Sequence, residues 1–122
     1  MLVTHVYLNG QCKEAIDVYV KAFNATIKTI MHNPEQEELI LHAEILIHNQ
    51  LIMLNDFGDN DGFSVSGGYQ LSVKFDSEDE LKEAYSFLKD DSKVISPMHS
   101  TDYSVCVVRF VDMFDVRWAF WV

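Results

Sequence analysis

The spacing of apolar residues along the chain switches between the two-residue period of strands and a helical period, and the helical period occurs twice. One helical stripe in residues 11–23 consists of Cys12, Ile16, Tyr19, Val20 and Phe23. A second stripe consists of Leu81, Ala84, Tyr85 and Leu88. Ser77 and Glu80, just before it, have the spacing of a capping box. The pattern therefore predicts two amphipathic helices.

Runs rich in β-branched and aromatic residues fill most of the remaining sequence. They predict strands at residues 2–8, 26–31, 39–47 and 51–56, and again at 69–75, 93–96, 103–111 and 116–122. Sliding the sequence by 65 residues brings Ile45 onto Phe110 and Met53 onto Trp118. Few superposed pairs are identical, so the repeat is one of pattern and element order, which is strand, helix and three strands.

The repeat predicts an α+β fold for a single domain spanning residues 1–122. Two βαβββ modules, about 1–57 and 69–122, would form a curved mixed sheet around a cup, with the helices on the outer face. Residues 58–68 between them are polar and glycine-rich, which is typical of a linker or a flap.

Strand parity assigns residues to the inside of this cup, because alternate side chains point to opposite faces and the helices cover the more apolar face. In residues 116–122 the apolar set is Val116, Trp118 and Phe120, which leaves the intervening residues for the cup. The same reasoning, with the repeat offset, predicts that the cup carries Thr4, His42, Glu44, Leu54, Asp56, Gln70, Ser72, Arg109, Arg117 and Trp121.

Two residues of this set, Glu44 and His42, each have two interpretations. Glu44 either contributes to a ligand site or neutralises Arg109 or Arg117 inside the cup. His42 is either a packed histidine or a general base. Trp121, together with Phe63 from the linker, is available for stacking against a ligand.

Charge narrows the choice of partners. Nineteen acidic and nine basic residues give a net charge of −10, which disfavours nucleic acid and anionic membranes. The N-terminus has no features of a signal peptide, and Cys12 and Cys106 do not form a disulfide framework. We therefore expect a cytoplasmic protein with both thiols reduced.

Four motifs in the right order give the chain a family resemblance. They are residues 7–16 (YLNGQCKEAI), 41–44 (LHAE), 51–56 (LIMLND) and 103–118, which keeps Asp112, Phe114, Val116 and Trp118. This set resembles the PhnB-like branch of the vicinal oxygen chelate superfamily, which includes glyoxalases, extradiol dioxygenases, and bleomycin and fosfomycin resistance proteins. The resemblance implies a homodimer, with apolar surface supplied by Tyr7, Trp118 and Phe120.

Metal-using members of that superfamily place ligands on the first, fourth, fifth and eighth strands. By motif alignment these positions are Thr4, Ile52 or Leu54, Gly68 and Ala119. None of these residues is an imidazole, thiolate or carboxylate ligand, so no metal or other cofactor is predicted. Parity would turn the neighbouring His5 out of the cup. His42, Glu44 and Asp56 are the residues that an unconventional metal site would use.

The sequence favours metal-independent binding of a small molecule in the cup of a homodimer. The expected ligand contacts are Arg109, Arg117, Trp121, Gln70, Asp56, Leu54 and Phe63. One alternative is a metal-dependent lyase, dioxygenase or thiol transferase with non-standard ligands, for which His42 and Glu44 are the candidate catalytic residues. The other is a structural dimer whose own side chains fill the cup.

Overall fold

Two helices and eight strands make up the described part of the computed structural model, which covers residues 1–56 and 67–122. In chain order they are β1 (Thr4–Leu8), α1 (Cys12–Phe23), β2 (Thr26–His32), β3 (Ile40–Ile47), β4 (Gln50–Asp56), β5 (Leu71–Lys74), α2 (Glu78–Leu88), β6 (Lys93–His99), β7 (Val107–Val111) and β8 (Arg117–Trp121). They form two compact units, Met1–Ser64 and Val65–Val122, which divide within the predicted linker.

The two units share one sheet topology. The first sheet has the order β1-β4-β3-β2 and the second has the order β5-β8-β7-β6. In each sheet the first strand is parallel to its neighbour and the other pairings are antiparallel. The predicted α+β fold with repeated βαβββ modules is therefore confirmed.

Each helix covers one face of its own sheet. In the first unit Cys12, Ala15, Ile16 and Tyr19 are buried on α1, and so are Ala43 and Ile45 on β3. In the second unit the Tyr85 ring of α2 lies 5.0 Å from the Phe110 ring of β7. The predicted cap of α2 is present, because Ser77 Oγ accepts a hydrogen bond from Glu80 N at 3.2 Å.

The hairpins of the two modules differ in length by one residue, and this decides which face β4 side chains occupy. Two residues, His48 and Asn49, separate the paired Ile47 and Gln50, and both have positive φ, as a two-residue hairpin turn requires. The β7–β8 turn closes through Asp112 and Val116 and leaves three residues between them. A uniform offset of 65 is therefore wrong for β4, where Ile52, rather than Met53, corresponds to Trp118.

Each module has a buried carboxylate that accepts hydrogen bonds from backbone amides. Asp56 Oδ1 accepts a hydrogen bond from Cys12 N at 3.0 Å, and Asp56 Oδ2 accepts one from Ile40 N at 2.8 Å. Asp112 accepts hydrogen bonds from Phe114 N, Val116 N and the indole of Trp118 at 2.8–3.0 Å. Both aspartates accept hydrogen bonds from backbone amides that are shielded from water and would otherwise have no acceptor.

Strand β7 is shorter than the predicted 103–111 segment. Ser104 is buried, and its hydroxyl donates a hydrogen bond to Cys106 O and accepts from Cys106 N and Val122 N. Thr101 N also donates to Ser104 O. These local bonds occupy the backbone of residues 101–106 in a turn, so strand pairing begins only at Val107.

Candidate ligand-binding groove

A groove of about 290 Å³ lies on one face of the β5–β8 sheet. Residues of β5, β7 and β8, of the segment just before β5 and of the turn before β7 line it: Gln70, Ser72, Tyr103, Val107, Arg109, Ala119 and Trp121. All of them belong to the second unit. The volume equals roughly ten water molecules at their liquid volume of about 30 Å³ each, which suits a small organic molecule.

Ala119 forms the floor of this groove because it is the smallest side chain among its strand neighbours. On one side it pairs with Arg109 of β7, and on the other side with Ser72 of β5. Trp121 lies two residues further along β8 on the same face, opposite Val107. A methyl side chain at the centre of these longer neighbours leaves the depression.

Trp121 is held in place at one wall of the groove. Its indole Nε1 donates a hydrogen bond to Ser72 Oγ at 3.0 Å, and Lys74 Nζ lies 5.3 Å from the centre of its ring system. The hydrogen bond fixes the ring orientation, and the ammonium over the ring adds a cation–π contact. The groove therefore has a preorganised aromatic wall.

The two arginines differ in how they are held. Arg109 is exposed, and within residues 67–122 its guanidinium takes part in no hydrogen bond or ion pair. Arg117 is half-buried, and its Nε donates to Tyr69 O at 3.1 Å. Arg109 therefore keeps its full set of donors for a ligand, whereas Arg117 keeps the terminal part of its guanidinium.

The sheet of the first unit also has a polar cluster, on the face opposite α1. His42 Nε2 lies 3.0 Å from Glu44 Oε2, and the His5 ring stacks on Tyr7 at 4.6 Å between ring centres. His5 Nε2 is hydrogen-bonded to Asn55 Oδ1, and the His5 and His42 rings are 6.3 Å apart. Within residues 1–56 and 67–122, no group of three or more His, Cys, Asp or Glu side chains is arranged to hold a metal ion.

Comparison with solved structures identifies the architecture. A putative 3-demethylubiquinone-9 3-methyltransferase, PhnB protein, from Bacillus cereus matches with a TM-score of 0.89 and 23% identity, over 98% of this chain and 97% of that chain. The protein PA1353 from Pseudomonas aeruginosa matches with a TM-score of 0.88 and 23% identity, over 98% and 95%. The fosfomycin resistance protein FosX from Listeria monocytogenes matches with a TM-score of 0.71 and 12% identity, over 99% and 90%.

These neighbours are members of the vicinal oxygen chelate superfamily. This chain has the vicinal oxygen chelate fold. Its topology agrees with that result, since each unit has the βαβββ order of that fold. No protein-family model matches the sequence, and no curated protein does.

Two residues predicted to line the cup lie on the opposite side of their strand. Leu54 pairs with Ala43 on the α1 side and is 0% exposed. Asp56 caps the start of α1 and the start of β3, as described above. Their prediction as ligand contacts relied on the uniform repeat offset, and the shorter β3–β4 hairpin makes their face assignment wrong.

The first strand needs the same correction. Val6 pairs with Leu54 and Leu8 with Asp56, so Thr4, Val6 and Leu8 face α1. His5 and Tyr7 consequently lie on the face that carries His42 and Glu44. Motif alignment assigns the first-strand ligand position to Thr4. On the face that carries His42 and Glu44, however, the first strand has His5 rather than Thr4.

The other predicted site residues fall into three groups. Gln70, Arg109 and Trp121 line the groove together, and Arg117 lies on the same sheet face beside it. His42 and Glu44 form a pair in the first unit. Phe63 lies outside the described residues. The ligand contacts expected from the sequence did not include Ala119, Val107 and Tyr103, which line the groove, although strand parity already placed Ala119 and Val107 on the same face as Arg109.

The apolar surface expected for a homodimer also changes. Trp118 is 3% exposed and Phe120 is 0% exposed, so the prediction that they supply dimer surface is wrong. Both pack among the rings on the α2 side of the sheet. Tyr7, at 46%, remains available. Among the described residues, no helix has the length and apolar character needed to cross a membrane.

Proposed function

We propose that this protein binds a small organic molecule in the groove floored by Ala119, and that it does so without a resident metal. The observation that carries the proposal is the groove itself, in which an aromatic wall, a small floor and an unengaged guanidinium converge. Ligand sites in proteins are concave and combine apolar surface with a few orienting polar groups, and this groove combines polar and apolar lining in about equal measure.

The groove offers each kind of contact that a small ligand needs. Val107 and the floor at Ala119 supply apolar area, and the fixed ring of Trp121 supplies a flat wall. Gln70 supplies both a donor and an acceptor at the rim. Because the Trp121 ring is already oriented by Ser72, a ligand does not have to order it on binding, which favours affinity.

The proposed metal independence rests on residue type. The strand register puts His5 and Met53, rather than Thr4 and Ile52 or Leu54, on the face that carries His42 and Glu44, and the other two motif positions are Gly68 and Ala119. Of these four residues only His5 has a side chain that commonly binds divalent ions, and its Nε2 is hydrogen-bonded to Asn55 Oδ1. The alternative, a metal-dependent enzyme of the same superfamily, would have to use His42 and Glu44, with His5 beside them.

Two indole N–H groups make the binding test specific. The chain contains two tryptophans: the Trp121 indole N–H lies at the groove, whereas that of Trp118 is buried against Asp112. In ¹H–¹⁵N spectra recorded with a fragment library, we expect hits that shift the Trp121 indole signal and leave the Trp118 signal in place. Ala119→Leu, which fills the floor, should abolish these shifts, whereas Val105→Leu, at a 64% exposed position, should not.

Metal content tests the second part of the proposal. We expect the purified protein to hold no stoichiometric zinc, nickel, manganese or iron. Stoichiometric metal that disappears in His42→Ala or Glu44→Ala would contradict the proposal and support the metal-dependent alternative. A library without hits at the Trp121 signal would instead support a structural protein. The homodimer, which we also propose, is checked by sedimentation.

A further inference from the structure

Both arginines of the chain lie on one face of one sheet. Arg109 pairs with Ala119, and Arg117, two residues earlier on β8, pairs with Val111. We call this surface the groove face. The register also places Lys74, opposite Trp121, and Lys93, opposite Val111, on it. Four of the nine basic residues of the chain therefore share a single sheet face.

The same sheet contains no compensating carboxylate. None of the residues of β5, β6, β7 and β8 is Asp or Glu, although the chain has nineteen acidic residues. The sheet of the first unit differs, since its strands contain Glu44 and Asp56. The acidic residues of the second unit are in its helix and turns, so its charge is segregated.

Arg109 and Arg117 are also close enough to act on one ligand. They are diagonal neighbours on adjacent antiparallel strands, a relation that puts side chains about 7–8 Å apart. That separation does not exceed the screening length of about 8 Å at physiological ionic strength. Arginine presents a planar set of donors that matches the oxygens of carboxylate and phosphate groups.

We infer that the ligand of the groove is a small organic anion, whose carboxylate, phosphonate or phosphate-ester oxygens contact Arg109 and whose apolar body lies beside Trp121. The inference rests on the proposed function and adds the chemical class of the ligand. Arg117 contributes long-range attraction and a second set of donors. The volume of the groove, about 290 Å³, suits a small molecule, and the net charge of −10 opposes polyanions at the rest of the surface.

The test compares an anion with its neutral counterpart on the same body. Benzoate, phenylphosphonate and benzamide are titrated into the whole protein, and the Trp121 indole signal is followed with the Trp118 signal as the internal control. We expect benzoate and phenylphosphonate to bind in the millimolar range and benzamide at least several-fold more weakly. Added salt should weaken the binding of the two anions and leave the binding of benzamide unchanged.

Charge variants then locate the contact. Arg109→Gln should weaken benzoate binding roughly three- to tenfold, the range for a partly solvated ion pair, without changing benzamide binding. Lys28→Gln removes the same charge from an exposed position in the first unit and should have little effect. Because Arg109 is exposed and unengaged within its unit, its replacement should leave the thermal midpoint within about 2 °C.

Two results would overturn the inference. If benzamide binds as tightly as benzoate and Arg109→Gln changes neither, the groove binds small molecules but does not select anions, so the proposed function survives alone. If none of the three probes shifts the Trp121 signal, and a broad neutral and charged library also fails, the proposed function fails with it.

Discussion

Replacing Asp56 by alanine tests whether this carboxylate is a structural cap or a ligand contact. Asp56 is 7% exposed. One of its oxygens accepts a hydrogen bond from Cys12 N at the start of α1, and the other accepts one from Ile40 N at the start of β3. The residue before α1, Gln11, provides no side-chain cap of its own. Asp56→Ala therefore removes the acceptor that α1 and β3 share.

The magnitude follows from the two bonds and from what surrounds them. A hydrogen bond to a charged group contributes about 1.5–3 kcal/mol, and a buried donor left alone costs about 1–3 kcal/mol. Cys12 is 0% exposed and Ile40 is 1% exposed, so water has little access to the two amides. Allowing for some relaxation, we expect Asp56→Ala to lower the free energy of unfolding by about 2–4 kcal/mol. Asp56→Asn, which keeps one carbonyl acceptor, should lose roughly half as much.

Urea titration followed by far-ultraviolet circular dichroism measures this loss. With a slope of about 2 kcal/mol per molar urea, the midpoint should fall by about 1–2 M. The matched control is Asp90→Ala, which removes the same charge from an exposed turn after α2 and should stay within about 0.5 kcal/mol of the unsubstituted protein. An Asp56→Ala protein as stable as Asp90→Ala, but unable to bind ligand, would refute the reasoning.

Three further outcomes follow from single contacts. Burial and the neighbouring carboxylate of Asp56 raise the pKa of the Cys12 thiol from 9.0 to about 12. As pH rises, the thiol of the unfolded chain ionises first, so the stabilisation from this group is complete below about pH 9 and is lost towards pH 12. Between these pH values the thermal midpoint of Cys12→Ala should therefore fall less steeply with pH than that of the unsubstituted protein. Equal slopes for the two proteins would contradict this prediction. Trp118→Phe removes the indole hydrogen bond to Asp112, 2.8 Å long, and should cost about 1–2 kcal/mol in urea titrations; no change would show that water replaces the bond. Asn49 has a φ of 63°, which glycine adopts without steric cost, so Asn49→Gly should raise the free energy of unfolding by a few tenths to about 1 kcal/mol. A lower thermal midpoint for this variant would exclude a strained turn.

Much of the fold was predictable because it depends on local periodicity. The stripe that begins at Cys12 and the capping box at Ser77 specify helices without reference to distant residues. The strand faces of the second unit were also assigned correctly, since Trp118 and Phe120 alternate clearly with more polar neighbours. In β4 each alternating set combines apolar and polar residues, so the face of each residue had to be taken from the repeat, and a hairpin one residue shorter reversed that assignment.

The candidate site was only partly predictable for a related reason. Arg109, Gln70 and Trp121 were found because polar or amphipathic side chains stand out on apolar strands. Ala119 was not, because an alanine has no chemistry of its own and becomes important only when longer side chains surround it. His5 was assigned to the wrong face because its position was judged by motif alignment rather than by the burial of Val6 and Leu8.

The sequence by itself determined the elements, their repeated order and the acidic character of the chain, since these depend on composition and on neighbours a few residues apart. The tertiary structure decided which residues share a face across strands: it paired Arg109 with Ala119, put Trp121 against Ser72 and turned Asp56 towards Cys12. Register between strands depends on turn length and on the packing of distant residues, and one residue of difference in a turn moves every side chain of a strand to the other face.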